Sequence, residues 1–285
     1  MRSILVCTDG SPYARTALQY ARYLADAMSL RVKVLFIEDI RHTQGPLMTG
    51  YYGPVGMAPS PAYPAFYEDL VKAVQDQGRR AIADARAVFE GAAVEVEYVI
   101  GEGIVRDCIL AEAQSADLLC LGRRGEHDEW EGDELGNTVS RVLRKSIRPV
   151  LVTPKDFKPF SRMLVAYDGS KGANRSLRAA LALASDRKLP MLIATVVHKA
   201  TDRRQSDAVL AQARELAAAW KEVAAECRLV EGDETERTLL ELAASESCDL
   251  IVMGAYGDSR IREWLLGSTT SGVLARSDRP VLLVR

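Results

Sequence analysis

Two short segments carry the residues best suited to chemistry. Gly254-Ala-Tyr-Gly257 follows an apolar run, and nine residues later comes Gly267-Ser268-Thr269-Thr270-Ser271. Glycines after a strand let the backbone approach a phosphate closely. Gly267 and Ser268 open a helical stretch, and a helix N-terminus offers unpaired N–H groups and roughly half a positive charge. Ser268, Thr269 and Ser271 add hydroxyl donors. Upstream, Asp168-Gly169-Ser170 follows another apolar run. A short acidic side chain there can accept from a ribose or a base, while glycine and serine permit a tight turn. Taken alone, that triplet is better explained as helix capping by Asp168 or Ser170. Ligands of a doubly wound sheet bind outside the C-terminal strand ends. All three pieces converge there, and together they read as a phosphate site rather than as plain turns.

The elements that must hold these residues occur twice. Residues 3–11 read SILVCTDGS and residues 162–170 read RMLVAYDGS. ADLLCLGRRG, ending at 125, returns as CDLIVMGAYG, ending at 257. GNTVSRVLRKSIRPVLV, from 136, returns as GSTTSGVLARSDRPVLLV, from 267. Three segments recurring in one order mark a duplicated domain. The copies span 1–155 and 161–285, with Pro154–Phe160 as the linker. In the second copy, strand-like runs at 163–167, 190–197, 226–230, 249–254 and 280–285 alternate with helical stretches at 172–185, 203–225, 234–246 and 268–276. That alternation implies an α/β fold with parallel strands. Strands apolar on both faces imply helices on both sides of the sheet.

Composition narrows the function classes. The 285 residues suit two domains, and a net charge of −2 gives no bulk attraction for nucleic acid. The N-terminal apolar run is too short for a signal peptide, and no run reaches a membrane span, so a cytoplasmic protein with no membrane partner is expected. Cys7, Cys108, Cys120, Cys227 and Cys248 form no Cys-x-x-Cys pair and read as reduced, buried thiols. His42, His127 and His198 lie far apart, so no metal site is expected from the protein's own residues. Residues 42–66, an insertion found only in the first copy, are rich in Gly, Pro and Tyr. They read as a surface loop, or as a lid or docking loop carrying Tyr51, Tyr52 and Tyr63 beside Tyr67.

The spacing Gly254-x2-Gly257-x9-Gly267-Ser268, with Asp168 after strand one and a closing Val-Leu-Leu-Val strand, resembles the universal stress protein family in its ATP-binding branch. The resemblance covers nearly the whole chain, twice. It implies two tandem five-stranded parallel-sheet α/β sandwiches of the adenine-nucleotide α-hydrolase-like type. It also implies that they pack as an intramolecular pseudo-dimer through their closing strands. ATP with Mg²⁺ would be the cofactor. Asp168 would contact the adenosine, and Val196 would meet the adenine through its backbone. Gly254, Gly257, Gly267 and Ser268 would hold ribose and phosphates, with Thr269 and Thr270 assisting. A homodimer of whole chains is compatible with the resemblance. An ATP pyrophosphatase of similar topology would want a Ser-Gly-Gly-x-Asp-Ser loop, which neither copy has.

The first copy departs from the motif. Asp9, Ser11 and Gly122-Arg-Arg-Gly125 remain, but ten residues lead to Gly136, and Asn137 stands in place of serine. Six carboxylates crowd 126–134. Like charges ~10 Å apart repel by about 0.4 kcal/mol per pair in water, so a weak or lost nucleotide site is expected there. No nucleophile, base and orienting partner converge in the sequence, so no catalytic residue is assigned. The leading expectation is a regulatory ATP-binding protein of the stress response. The alternatives are a slow ATPase or self-phosphorylating enzyme, and a nucleotide-free interaction module.

Overall fold

The computed structural model describes residues 1–43, 63–125, 135–198, 203–255 and 266–285. The first copy runs β1 (Ser3–Cys7), α1 (Pro12–Met28), β2 (Arg31–Asp39), a short α2 (Ile40–Thr43), α3 (Tyr63–Val88), β3 (Val96–Gly103), α4 (Val105–Glu112), β4 (Leu118–Gly122), α5 (Asn137–Lys145) and β5 (Val150–Thr153). The second runs β6 (Met163–Ala166), α6 (Lys171–Arg187), β7 (Met191–Val197), α7 (Arg203–Ala218), β8 (Ala225–Glu231), α8 (Thr235–Ser245), β9 (Leu250–Gly254), α9 (Ser268–Arg276) and β10 (Val281–Val284). The expected tandem α/β architecture is present.

The ten strands among the described residues form one sheet in the order β3-β2-β1-β4-β5-β10-β9-β6-β7-β8. Pairing is parallel within each copy; the two closing strands pair with each other, as the resemblance implied, and the structure makes that β5–β10 seam antiparallel. The seam register pairs Val281 with Val152, Leu282 with Leu151 and Leu283 with Val150. Exchanging equivalent residues of the two copies leaves that register unchanged, so the seam has local twofold symmetry. Two strands that would be apolar edges in a lone copy are thereby paired and buried. Arginines reinforce the join. Arg123 donates to the carbonyls of Ala275 (3.0 Å) and Ser277 (2.8 Å) at the end of α9. A cation there complements the negative helix C-terminus.

Two apolar layers follow from the alternation of side chains along the strands. One packs β-strand residues such as Ile4, Val6, Val165 and Ile193 against α1, α3, α6 and α7. The other packs Leu5, Leu119, Leu164 and Ile251 against α4, α5, α8 and α9. Each layer runs through both copies. The outer strands depart from the expectation of strands apolar on both faces. β3 and β8 are only partly buried, because no described strand covers their far edges.

Three boundaries differ from the sequence reading. The helical pattern at 203–225 stops at Ala218, and Trp220 and Val223 reach the core from a turn instead. Residues 63–66, assigned to the insertion loop, begin α3; Tyr51 and Tyr52 lie outside the described residues. The segment 154–160 is not a slack linker. It is strapped along α1 by Tyr20, which donates to the Lys158 carbonyl (2.9 Å), and by Tyr23, which donates to the Phe160 carbonyl (2.9 Å). Phe157 and Phe160 pack their rings on both tyrosines.

All five cysteines are free thiols; Cys120 and Cys248 are buried, and the other three are partly buried. Burial pushes the Cys248 thiol up to about 11 and raises Cys120 well above the ordinary thiol range. The thiolate is the reactive form. Alkylation of native protein at neutral pH is therefore expected to spare Cys120 and Cys248, while denatured protein reacts at every cysteine. Peptide mass mapping that found either residue modified as fast as a free thiol would contradict this packing.

Candidate functional site

The C-terminal ends of β6, β7 and β9 and the N-terminus of α9 enclose a cavity of about 400 Å³. Asp168, Val196, Gly254, Gly267, Ser268, Thr269 and Thr270 all line it. Residues distant in the sequence thus meet where strand order switches between β6 and β9. Gly257 lies outside the described residues.

Capping and ligand roles separate at the turn after β6. Ser170 is the N-cap of α6, its hydroxyl accepting from the Ala173 N–H at 3.0 Å. One oxygen of Asp168 accepts from the Ser170 N–H at 2.9 Å, which fixes the carboxylate at the rim. Asp168 itself is exposed and caps no helix. A held, solvated carboxylate is suited to accept hydroxyl or amino hydrogens from a ligand.

Val196 owes its position to strand length. Pairing of β6 with β7 ends at Ala166 and Ala194, whereas β7 continues to Val197. One backbone edge of β7 therefore overhangs the cavity beside Asp168. Its neighbour Thr195 turns inward and donates to the Tyr167 carbonyl at 2.8 Å.

The glycines divide into two kinds. A Cβ on Gly254 would lie 2.9 Å from the Gly172 carbonyl carbon, so only glycine lets β9 pass the first turn of α6. The same holds for Gly122 against Tyr13, so this glycine serves packing in both copies. Gly267 has room for a Cβ and instead starts α9 with no side-chain cap. The first N–H groups of α9 are left for water or a ligand. Ser268 is exposed beside them and Thr269 partly so. Thr270 is buried, and its hydroxyl donates to the Gly254 carbonyl at 3.2 Å. Its hydrogen is thus engaged in joining α9 to β9, a positioning role that spacing did not reveal.

Several lining residues were missed by sequence reasoning. Tyr167, Ala194, Thr235, Leu239 and Met253 give the cavity an apolar wall with a few hydroxyls. His198, read as a loop histidine, contacts the Gly232 carbonyl through Nδ1 (2.9 Å) and Thr235 Oγ1 through Nε2 (3.1 Å). Both ring nitrogens are engaged, which links the end of β7 to the start of α8 beside the cavity. A mostly apolar pocket of this size with convergent polar groups is typical of a small-molecule site.

The model of the universal stress protein family matches residues 1–154 and again 159–285. Universal stress protein Slr1230 of Synechocystis is 33% identical, with all of both chains covered. Universal stress protein Rv2623 of Mycobacterium tuberculosis is 24% identical over 99% of this chain and 96% of its own. A universal stress protein crystal structure from Archaeoglobus fulgidus superposes with a TM-score of 0.73 at 20% identity, covering 99% of this chain and 96% of that one.

Proposed function

This chain belongs to the universal stress protein family, and from that premise we propose that its second copy binds ATP, with Mg²⁺, to set the state of a stress-response protein in the cytoplasm. The observation that carries this reading is convergence. Seven residues chosen from sequence for a nucleotide, on four separate segments, line one cavity. Asp168 and the overhanging backbone of Val196 would take the adenosine end. The bare N-terminus of α9, with Ser268 and Thr269, would take the phosphates together with Gly257. Bound Mg²⁺ would supply charge neutralisation along the phosphates. No described helix is long and apolar enough to cross a membrane.

Regulation fits the cavity better than rapid turnover. Among the described lining residues, His198 has both nitrogens engaged and Asp168 is tied to the turn after β6. In the proposed pose Asp168 would sit at the adenosine end and not at the phosphates. Any hydrolysis is expected to run well below the median enzyme turnover of about 10 s⁻¹. Protein purified without added nucleotide, then heat-denatured, should release adenine nucleotide detectable by chromatography. Failure to release or to bind ATP in titration would remove this reading. Mg²⁺-dependent turnover of several per second, abolished by one substitution in the second copy, would convert it to an enzyme.

A further inference from the structure

The first copy has its own cavity at the equivalent strand ends, about 440 Å³ in volume, and its chemistry is different. We propose that it is a binding site for a neutral, largely apolar small molecule, separate from the nucleotide site.

Equivalent positions of the two copies carry different residues around the cavity. The registers pair Ile4 with Val32 and Met163 with Met191. Leu35, Phe36 and Ile37 therefore stand where Ala194, Thr195 and Val196 stand. At the first position of the following helix, Val105 replaces Thr235. At the third position of the helix after the glycine loop, Val139 replaces Thr270. At each of these points the first copy carries an apolar side chain, larger at Leu35, Phe36 and Ile37 and of threonine's own shape without its hydroxyl at Val105 and Val139. The hydroxyls that tie the second cavity's walls to backbone carbonyls have no counterpart at Phe36 and Val139.

A roof completes the change. α3 has 26 residues against 16 described in α7; its extra N-terminal turns bring Leu70 over the cavity, beside Val74 and Gln77 from the stretch that both helices share. No described α7 residue lines the second cavity. Gly78 permits this approach, since a Cβ there would fall 2.9 Å from the Phe36 ring. Gln77 fastens the roof by donating to the Asp9 carbonyl at 3.3 Å.

Apolar lining selects the ligand class. The charged residues lining the cavity, among those described, are Asp9, Asp39, Arg41 and Arg124, two of each sign. Asp39, standing where His198 does, is buried and pairs with Arg41, whose Nε lies 2.9 and 3.0 Å from its two oxygens. The described lining of the second cavity carries Asp168 as its only such charge, so it is apolar surface and not lining charge that separates the two sites: a polyanion loses its hydration against Leu35, Ile37, Val105 and Leu70. A neutral apolar molecule gains by burial, at roughly 25 cal/mol per Å² of apolar surface.

The test is fluorescence titration of the full chain with N-phenyl-1-naphthylamine, a neutral apolar fluorophore. Saturable binding of about one equivalent per chain is expected, undisturbed by excess ATP. Leu70→Glu should weaken it about tenfold or more, a loss near 1.4 kcal/mol. Val74→Trp should do the same by filling the cavity, which covers the case where a buried glutamate unfolds the roof. Absence of saturable binding, equal binding by both variants, or displacement by ATP would overturn the proposal. The readout does not depend on the second copy, so failure of the ATP reading leaves it standing.

Discussion

Calorimetric titration of the whole chain with ATP is expected to find one tight site, at least about tenfold tighter than any second, which needs only about 1.4 kcal/mol. Both copies keep the strand-one aspartate, and in both it accepts from the N–H two residues on at 2.9 Å. Asp9 and Asp168 therefore do not discriminate. The loop after strand four does. In the second copy, 258–266 carries two acidic and two basic residues, and Gly267-Ser268 opens α9. In the first, the loop is one residue longer with six carboxylates, and Asn137 opens α5. The structure adds a polarity term to that electrostatic one, because Phe36, Val105 and Val139 stand where Thr195, Thr235 and Thr270 line the second cavity, and the α3 roof adds Leu70 and Val74. Both terms act in one direction. Gly257→Glu is expected to abolish tight binding and Gly125→Glu to leave it intact. Two equal sites, or loss of tight binding only with Gly125→Glu, would overturn the assignment.

The other large effect is expected from the strap. Phe160 is 2% exposed and sits between the copies, its ring 5.1 Å from that of Tyr23 and 6.3 Å from that of Tyr20. It belongs to the apolar layer that runs through both halves of the sheet. Phe160→Ala should cost about 3–5 kcal/mol, the usual range for a buried phenylalanine. That is a large fraction of the ~5–15 kcal/mol by which a domain is stable. Removing only the Tyr20 hydroxyl, which serves the Lys158 carbonyl, should cost about 1 kcal/mol. Urea unfolding of both variants checks the ranking. A Phe160→Ala loss under about 1 kcal/mol would mean that the strap is a passive connector.

The strap also shows why some of the fold was illegible. With Pro154 at its start and Pro159 near its end, the segment reads locally as a linker. Nothing local says that two tyrosines on α1, more than a hundred residues earlier, will take it as a partner. Helix ends failed for a related reason. Trp220 and Val223 keep helical spacing with Val209 and Leu216, but a turn can deliver the same side chains to the same core.

The sequence by itself determined the duplication, the α/β class and the convergence of Asp168, Gly254, Gly267 and Ser268 at one end of the sheet, and the family resemblance added Val196 to them. Apolar periodicity and glycine placement are local properties, and parallel strands joined by helices bring their C-terminal ends to one side. Only the tertiary structure decided which residue caps and which is left to a ligand. Ser170 and Asp168 are equally good caps by type, and the geometry of the turn chose Ser170. It also separated packing from binding among the glycines, since Gly254 is fixed by the approach of α6. The difference between the two cavities was decided the same way. Leu35, Phe36 and Val105 are ordinary apolar residues in the sequence, and they line a cavity only because β2, α4 and the lengthened α3 meet around it.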